Sequence, residues 1–357
     1  MDHPLRRKRL AARLDALGID AVLITRPPNV RYLTGFTGSN GQVIVSNGAI
    51  VFFTDGRYTE QSRREVPDLE RRTYSGEFVS AFADACRDLD LRLVGFESAG
   101  VTYKSYQDLS SAAGGVQLRP VAEEVERLRW VKEEEELLLI ERAQEATDAA
   151  FGSILPRLRE GIAERELALE LERAMREAGA DGLSFETIAA FGENAAEPHH
   201  QPTDRRLARG DVVKLDFGAL SGGYHADMTR TVAFGEPPRR LREIHDLVLR
   251  AQQAGIEGVQ SGVTGKAADR AAREVIEEAG YGEAFGHSLG HGVGLEIHEG
   301  PSLRKVSEDV LPAGAVVTVE PGVYLPGTGG VRIEDMVEVT GDACRVIPRS
   351  TRELLVL

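Results

Sequence analysis

The sequence predicts an α/β unit followed by an α+β unit built on antiparallel strands. Three observations carry that division. Over about the first 120 residues, helical and strand patterns alternate in short stretches, as an α/β unit requires. Within them, "QVIVSNGAIVFFTD" sets two apolar runs either side of Asn47-Gly48, the dipeptide expected of a tight hairpin. Beyond residue 125 the pattern changes to long charged helices followed by apolar strands. The domain boundary is therefore placed there, giving units 1–125 and 126–357.

In the first unit, a helix is expected over Pro4–Leu17, ending at Gly18, and then an apolar strand, "AVLI". The hairpin follows, then helices near Thr59–Glu65 and Phe78–Leu89, and a strand in "LRLVGFE". "GFTGSNG" is rich in glycine but lacks the spacing of a dinucleotide or phosphate loop. The second unit opens with a helix over Lys132–Phe151, with Leu138, Ile140 and Ala143 expected to face a core. Its first turn holds Glu133–Glu136, a solvated acidic run favourable to the helix dipole. Further helices are expected over Glu164–Ala178, Arg240–Gly258 and Thr264–Ala279, the last stopped by Gly280. Strands are expected at Val212–Phe217, Tyr224–Phe234, Ala315–Glu320 and Val331–Val339.

Composition narrows the class. With 57 acidic against 43 basic residues, the net charge of -14 argues against a nucleic-acid partner and suits cationic ligands, metal ions included. Cys86 and Cys344 stand far apart in no metal-type spacing, as expected of reduced thiols. The N-terminal stretch has no apolar core of signal-peptide length, and no apolar run approaches the ~18 residues of a membrane span. A cytoplasmic enzyme with no membrane partner is the expectation.

The chemistry begins with two aspartates in "VKLDFGALSGGYHADMTR". Asp216 and Asp227 lie on expected strands, where Asp is depleted and costly to bury without a partner. Side chains alternate across a strand, so a two-residue turn at Ser221-Gly222 or Gly222-Gly223 places both carboxylates on one face, and an odd loop separates them. Adjacent carboxylates repel unless a cation lies between them. The alternative is an exposed turn with a salt-bridged Asp.

"FGHSLGHGVGLEIHEG" adds His287, His291 and His298 on backbone too rich in glycine for a stable helix, the glycines letting the backbone approach a ligand. "NAAEPHHQP" adds His199 and His200. Glu320 ends an apolar strand just before Pro-Gly, and Glu334 lies inside "VRIEDMVEV", half-buried on either face, where Arg332 is its alternative partner. Asp216, Asp227, His291, Glu320 and Glu334 together offer four carboxylates and one imidazole. An oxygen-rich set with one nitrogen suits Mn²⁺, with Co²⁺, Zn²⁺ or Fe²⁺ as alternatives. Four carboxylates exceed what one ion needs and suit two, roughly 3.5–4 Å apart, which make a nucleophile at neutral pH and polarise the carbonyl it attacks. That chemistry is hydrolysis.

These residues resemble, in order, the five metal ligands of the pita-bread metallopeptidases. The flanking strings "LDFGA", "ADMTRT", "GHSLGHGVGLEIHE", "TVEPGVY" and "VRIEDM" resemble the Xaa-Pro peptidase branch, that of aminopeptidase P and prolidase. "RYLTGFTGSNG" and "FFTDGRY" resemble the creatinase-type N-terminal domain found with that branch. The resemblance covers essentially the whole chain. It implies an α/β N-terminal creatinase-like domain plus an α+β C-terminal pita-bread domain.

It also implies roles. Asp216 would bind one ion, His291 and Glu320 the other, with Asp227 and Glu334 bridging; Glu320 would also be the general base. His199 would stabilise the oxyanion, and His298 would stand near the proline or the carbonyl. His287, Tyr324 and Arg332 would support the site, while His200 is read as a neighbour without a chemical role. The reaction implied is removal of the N-terminal residue from peptides with proline second, with aminopeptidase P preferred over a prolidase confined to dipeptides. A prolidase needs a cation for the proline carboxylate, or a wall; Arg26, Arg31 and Arg57 are candidates. A homodimer or larger homo-oligomer is implied as well. The rival of another class is a pita-bread binding module that has lost catalysis.

Overall fold

The hairpin signalled by Asn47-Gly48 forms, with Gly41–Ser46 antiparallel to Ile50–Asp55 and Ser46 N–H donating to Ala49 O at 3.0 Å across the turn. In the computed structural model, which describes residues 1–357, it belongs to the unit Met1–Arg129. There it is part of a six-stranded mixed sheet ordered Glu70–Tyr74, Ile50–Asp55, Gly41–Ser46, Ala21–Ile24, Leu93–Glu97, Gln117–Val121. Ala21–Ile24 is apolar throughout because it is buried along its length, antiparallel to one neighbour and parallel to the other. Pro120 sits in an edge strand, where its missing N–H is tolerated. The expected helix over Pro4–Leu17 is two, His3–Ala11 and Leu14–Leu17; no breaker lies between them and nothing in the structure explains the interruption.

The second unit, Trp130–Leu357, holds two cores. Helices Glu134–Ile154 and Glu164–Glu177 pack on a three-stranded antiparallel sheet of Ile188–Phe191, Val212–Phe217 and Met228–Ala233. Helices Arg239–Gly258 and Gly265–Glu278 pack on a five-stranded sheet that includes Gly290–Gly292, Val316–Val319 and Asp335–Val339. Each helix pair thus covers its own sheet. The creatinase-like domain followed by an α+β pita-bread domain is the fold observed. No helix is long and apolar enough to cross a membrane.

Three expectations are corrected. Leu138 faces solvent, whereas Ile140 and Ala143 are buried. Glu136 is not part of a solvated run: it is buried, accepts from Tyr224 O–H at 2.7 Å and closes a capping box on Glu133 N–H. Two expected strands are each divided, Tyr224–Phe234 at Ala226-Asp227 and Val331–Val339 at Ile333-Glu334.

A buried histidine in this unit sets an acid limit. His245, on Arg239–Gly258, is 1% exposed, and burial pulls its pKa down to about 4. The unfolded chain takes up its proton near 6.5, so stability is complete above that value and is lost as pH falls towards 4. The loss is on the order of 3 kcal/mol. His245→Leu should flatten this part of the Tm-against-pH curve in thermal melts.

Candidate metal centre

Strand alternation builds the first half of the site. On Val212–Phe217, the side chains of Val213, Leu215 and Phe217 enter the core under the first helix pair, so Lys214 and Asp216 face the other way. The loop beyond is a two-residue turn, Gly222-Gly223, with φ of 55° and 81°. Such angles suit glycine and make the loop even. Thr229 lies opposite Asp216 in this register, and Asp227 two residues before it shares the face. Asp227 sits where the strand divides, beside a close approach: a Cβ on Gly218 would stand 1.8 Å from Ala226 O.

The second half follows the same rule. Val317 and Val319 enter the other core, leaving Thr318 and then Glu320 towards the site. His291 is the central residue of Gly290–Gly292. The flanking glycines serve strand packing rather than ligand approach: a Cβ at Gly290 would lie 2.0 Å from Thr318 O, and one at Gly292 would lie 2.1 Å from Gly300 O. Glu334 occupies the break between Gly329–Arg332 and Asp335–Val339, tied to the first sheet by its N–H to Thr229 O at 3.1 Å. The alternative considered for Glu334, a pair with Arg332, does not form. Arg332 instead bonds Asp216 Oδ2, Thr229 Oγ1 (3.0 Å), Tyr324 Oη (2.9 Å) and Pro198 O (3.2 Å).

Ligand atoms of Asp227, His291 and Glu334 all lie within 4.8 Å of one another. His291 Nε2 is 3.4 Å from Glu320 Oε1 and 3.6 Å from Asp227 Oδ2. Burial first, then the charges of Glu334, Asp216 and Glu320, push Asp227 well above the usual carboxylate range. Burial and the charges of Glu320 and Asp216 push Glu334 up likewise. For Glu320, burial is outweighed by the hydrogen bond and charge of His291, with His287 and Arg332, and its pKa falls to about 2. The His291 imidazole is raised, burial being outweighed by Glu320.

The donor set fits a divalent metal on two independent grounds. Asp216 Oδ1 is buried with no hydrogen-bond partner, a costly state for a carboxylate oxygen unless a cation meets it. His291 Nδ1 lies 3.1 Å from Gly292 O, so that nitrogen carries the donated hydrogen and Nε2 is left facing the carboxylates.

A cavity of about 560 Å³ opens over the cluster. It is lined by His199, His287 and His298 as well as the five candidate ligands and Arg332, with apolar wall from Phe185, Ile188 and Ile297. His298 packs edge-on against His291 at 4.3 Å between centroids. Tyr324 stands behind the cavity; its O–H, 2.9 Å from His287 Nε2, accepts from Arg332. Burial lowers the His287 imidazole and raises Tyr324 to about 12, so both stay neutral. Of the N-terminal arginines, Arg57 is bonded by Asp55 and Arg26 by Glu126. Sequence reasoning missed Thr229, which donates to Glu334 Oε2 at 2.6 Å, and Lys214. A lysine inside an apolar strand, two residues before Asp216, was the available signal.

Two helix-backed sheets that bring four carboxylates and an imidazole into the lining of one cavity define a metallopeptidase of the pita-bread type. The metallopeptidase family M24 profile matches residues 139–341, and the creatinase/prolidase N-terminal domain profile matches residues 6–131. The chain belongs to metallopeptidase family M24. It is 37% identical to a Xaa-Pro dipeptidase of Pyrococcus horikoshii, over 98% of this chain and 98% of the relative. Its structure is similar to that of a Xaa-Pro dipeptidase from Bacillus anthracis, with a TM-score of 0.97 and 42% identity, covering 99% of this chain and 100% of the other. It is also similar to an X-Pro aminopeptidase from Thermotoga maritima, with a TM-score of 0.89 and 40% identity, covering 97% and 100%.

Proposed function

We propose that this protein is a Xaa-Pro dipeptidase working with two divalent ions, Mn²⁺ being the ion best matched to its oxygen-rich donors. The observation that carries hydrolysis is the convergence of Asp227, His291 and Glu334, beside Asp216 and Glu320, on the floor of the histidine-lined cavity. Support for dipeptides comes from the similarity to proteins named Xaa-Pro dipeptidase, and it displaces the sequence-based preference for aminopeptidase P. One observation favours the second reading, cleavage of longer Xaa-Pro peptides. Arg332 is the one guanidinium lining the cavity, and Asp216, Thr229, Tyr324 and Pro198 already engage it.

The ions, when bound, supply Lewis-acid polarisation of the scissile carbonyl and a nucleophile from water near neutral pH. The chain supplies the rest. Asp216, Asp227, His291, Glu320 and Glu334 hold the ions. Glu320 takes the proton of the attacking water and returns it to the prolyl nitrogen, which has no hydrogen of its own in the peptide. His199 donates to the developing oxyanion, and His298, packed against His291 in the cavity lining, stands near the proline or the carbonyl. Tyr324 and His287 hold Arg332 in line, and Arg332 orients Asp216. We place the enzyme in the cytoplasm, where the free thiols Cys86 and Cys344 stay reduced.

The test is turnover of a Xaa-Pro dipeptide against a Xaa-Pro-Xaa tripeptide by the Mn²⁺-loaded protein. The expected result is a kcat/KM at least about 100-fold higher for the dipeptide. Comparable or greater turnover of the tripeptide selects the aminopeptidase reading. Activity on neither would favour a binding module.

A further inference from the structure

His199 is exposed to the cavity, yet the chain on both sides of it is tied down by buried charge. On the N-terminal side, the carbonyls of Ala195, Glu197 and Pro198 converge on Lys214, which is 0% exposed. Its Nζ donates to Ala195 O at 3.2 Å and to Glu197 O, and reaches Pro198 O at 3.5 Å. Arg332 donates to the same Pro198 carbonyl. On the C-terminal side, His200 is buried between two carboxylates, with Nδ1 2.8 Å from Glu197 Oε2 and Nε2 2.9 Å from Glu164 Oε2. Glu164 is itself buried, and it also accepts from Phe191 N–H, Asn194 Nδ2 and Thr203 N–H at 2.8 to 2.9 Å, so His200 is fastened to a fixed frame.

Burying an ammonium is costly, and an aliphatic side chain would fill the same place on an apolar strand without that cost. Lys214 meets no carboxylate directly. Its acceptors are main-chain carbonyls of one segment, the one leading to His199. A side chain that meets a developing oxyanion must be held to a fraction of an ångström, and small misplacements are expensive in rate. A segment without regular secondary structure, such as 197–203, cannot hold such a position from its own backbone bonds.

We propose that Lys214 and His200 are positioning residues for His199, gripping the chain on its two sides: Lys214 through the carbonyls of Ala195, Glu197 and Pro198, and His200 through Glu197 and Glu164. The proposal rests on the reading above in which His199 meets the substrate during hydrolysis.

A double-mutant cycle on the full-length, Mn²⁺-loaded protein tests it, reading kcat, KM and bound metal. His199→Ala should lower kcat about 100-fold. Lys214→Met should lower kcat about 10-fold with KM and metal content little changed, and Lys214→Arg should restore part of the loss. In the His199→Ala background, Lys214→Met should cost less than about 2-fold further. Full additivity, or an equal loss of bound metal, overturns the positioning role. An unchanged kcat for His199→Ala instead sinks the reading of His199 itself, so the two failures are told apart. If Lys214→Met does not fold, His200→Gln enters the same cycle with the same expected coupling, and additivity there overturns the proposal equally.

Discussion

Asp227→Asn and Glu334→Gln should each lower kcat/KM by at least about a thousandfold and reduce bound metal, while raising the stability of the metal-free protein. The opposite signs follow from one cause. Both carboxylates are buried, and each has other carboxylates as its principal charged neighbours, Asp216 and Glu320 among them. Without a cation the folded chain carries their repulsion; an amide of the same shape removes it and keeps Thr229 O–H as a donor to position 334. A gain of about 1–3 kcal/mol is expected in chelator. An ordinary structural ion pair behaves the other way, since removing one charge strands its partner. Calorimetry in EDTA and metal analysis of each variant decide it. Destabilisation of the metal-free variants, with metal content unchanged, would mean that these residues pair with His291 or Arg332 and hold no ion.

Much of this site is legible in the sequence because strand parity is a strong constraint. Val213, Leu215 and Phe217 must share a face, so Lys214 and Asp216 take the other, and the "SGG" turn carries that assignment across to Asp227. The two glycines at φ of 55° and 81° supply the even loop on which it depends. Less legible is where a strand stops pairing. "YHADMTRTVAF" and "VRIEDMVEV" each read as continuous apolar strands, but each divides at the residue before or at the buried carboxylate. Asp227 and Glu334 lie where the chain passes from one short sheet to another, and pairing partners distant in sequence decide that. Arg332 shows the same limit. Its near neighbour Glu334 is the obvious partner by strand spacing, and the tertiary fold gives it Asp216 instead. His200 shows it too, since Glu164, the carboxylate that holds it, lies 36 positions away in sequence. Leu138 erred by helix phase alone, its neighbours Ile140 and Ala143 being the buried ones.

At one fixed Mn²⁺ concentration, the stabilisation conferred by metal should grow by about 4 kcal/mol as pH rises from about 5 to 8. In the metal-free chain Asp227 and Glu334 have carboxyl pKa values raised well above 3.8 and 4.5. A raised carboxyl pKa contributes stability that is whole below the unfolded value and is lost as pH climbs through the folded one, because the unfolded chain gives up its proton first. The raised His291 imidazole acts with the same sign from 6.5 upward. Glu320, brought down to about 2, acts oppositely, but its contribution is complete above about 4.5 and adds no slope in this window. The lowered His245 and the lowered Lys214 do add slope of the opposite sign. Both lie outside the ligand set, so comparing metal-loaded with chelated protein at each pH removes most of their contribution. Metal then displaces protons shared among Asp227, Glu334 and His291; a net displacement averaging about one proton across the window, at about 1.4 kcal/mol per pH unit, gives the about 4 kcal/mol expected. For a catalytic unit of this size, the difference in Tm should widen by roughly 8–16 °C across the window. Paired melts in EDTA and in Mn²⁺ at each pH read it directly. A difference independent of pH, or one that shrinks as pH rises, is incompatible with ions held by these three groups.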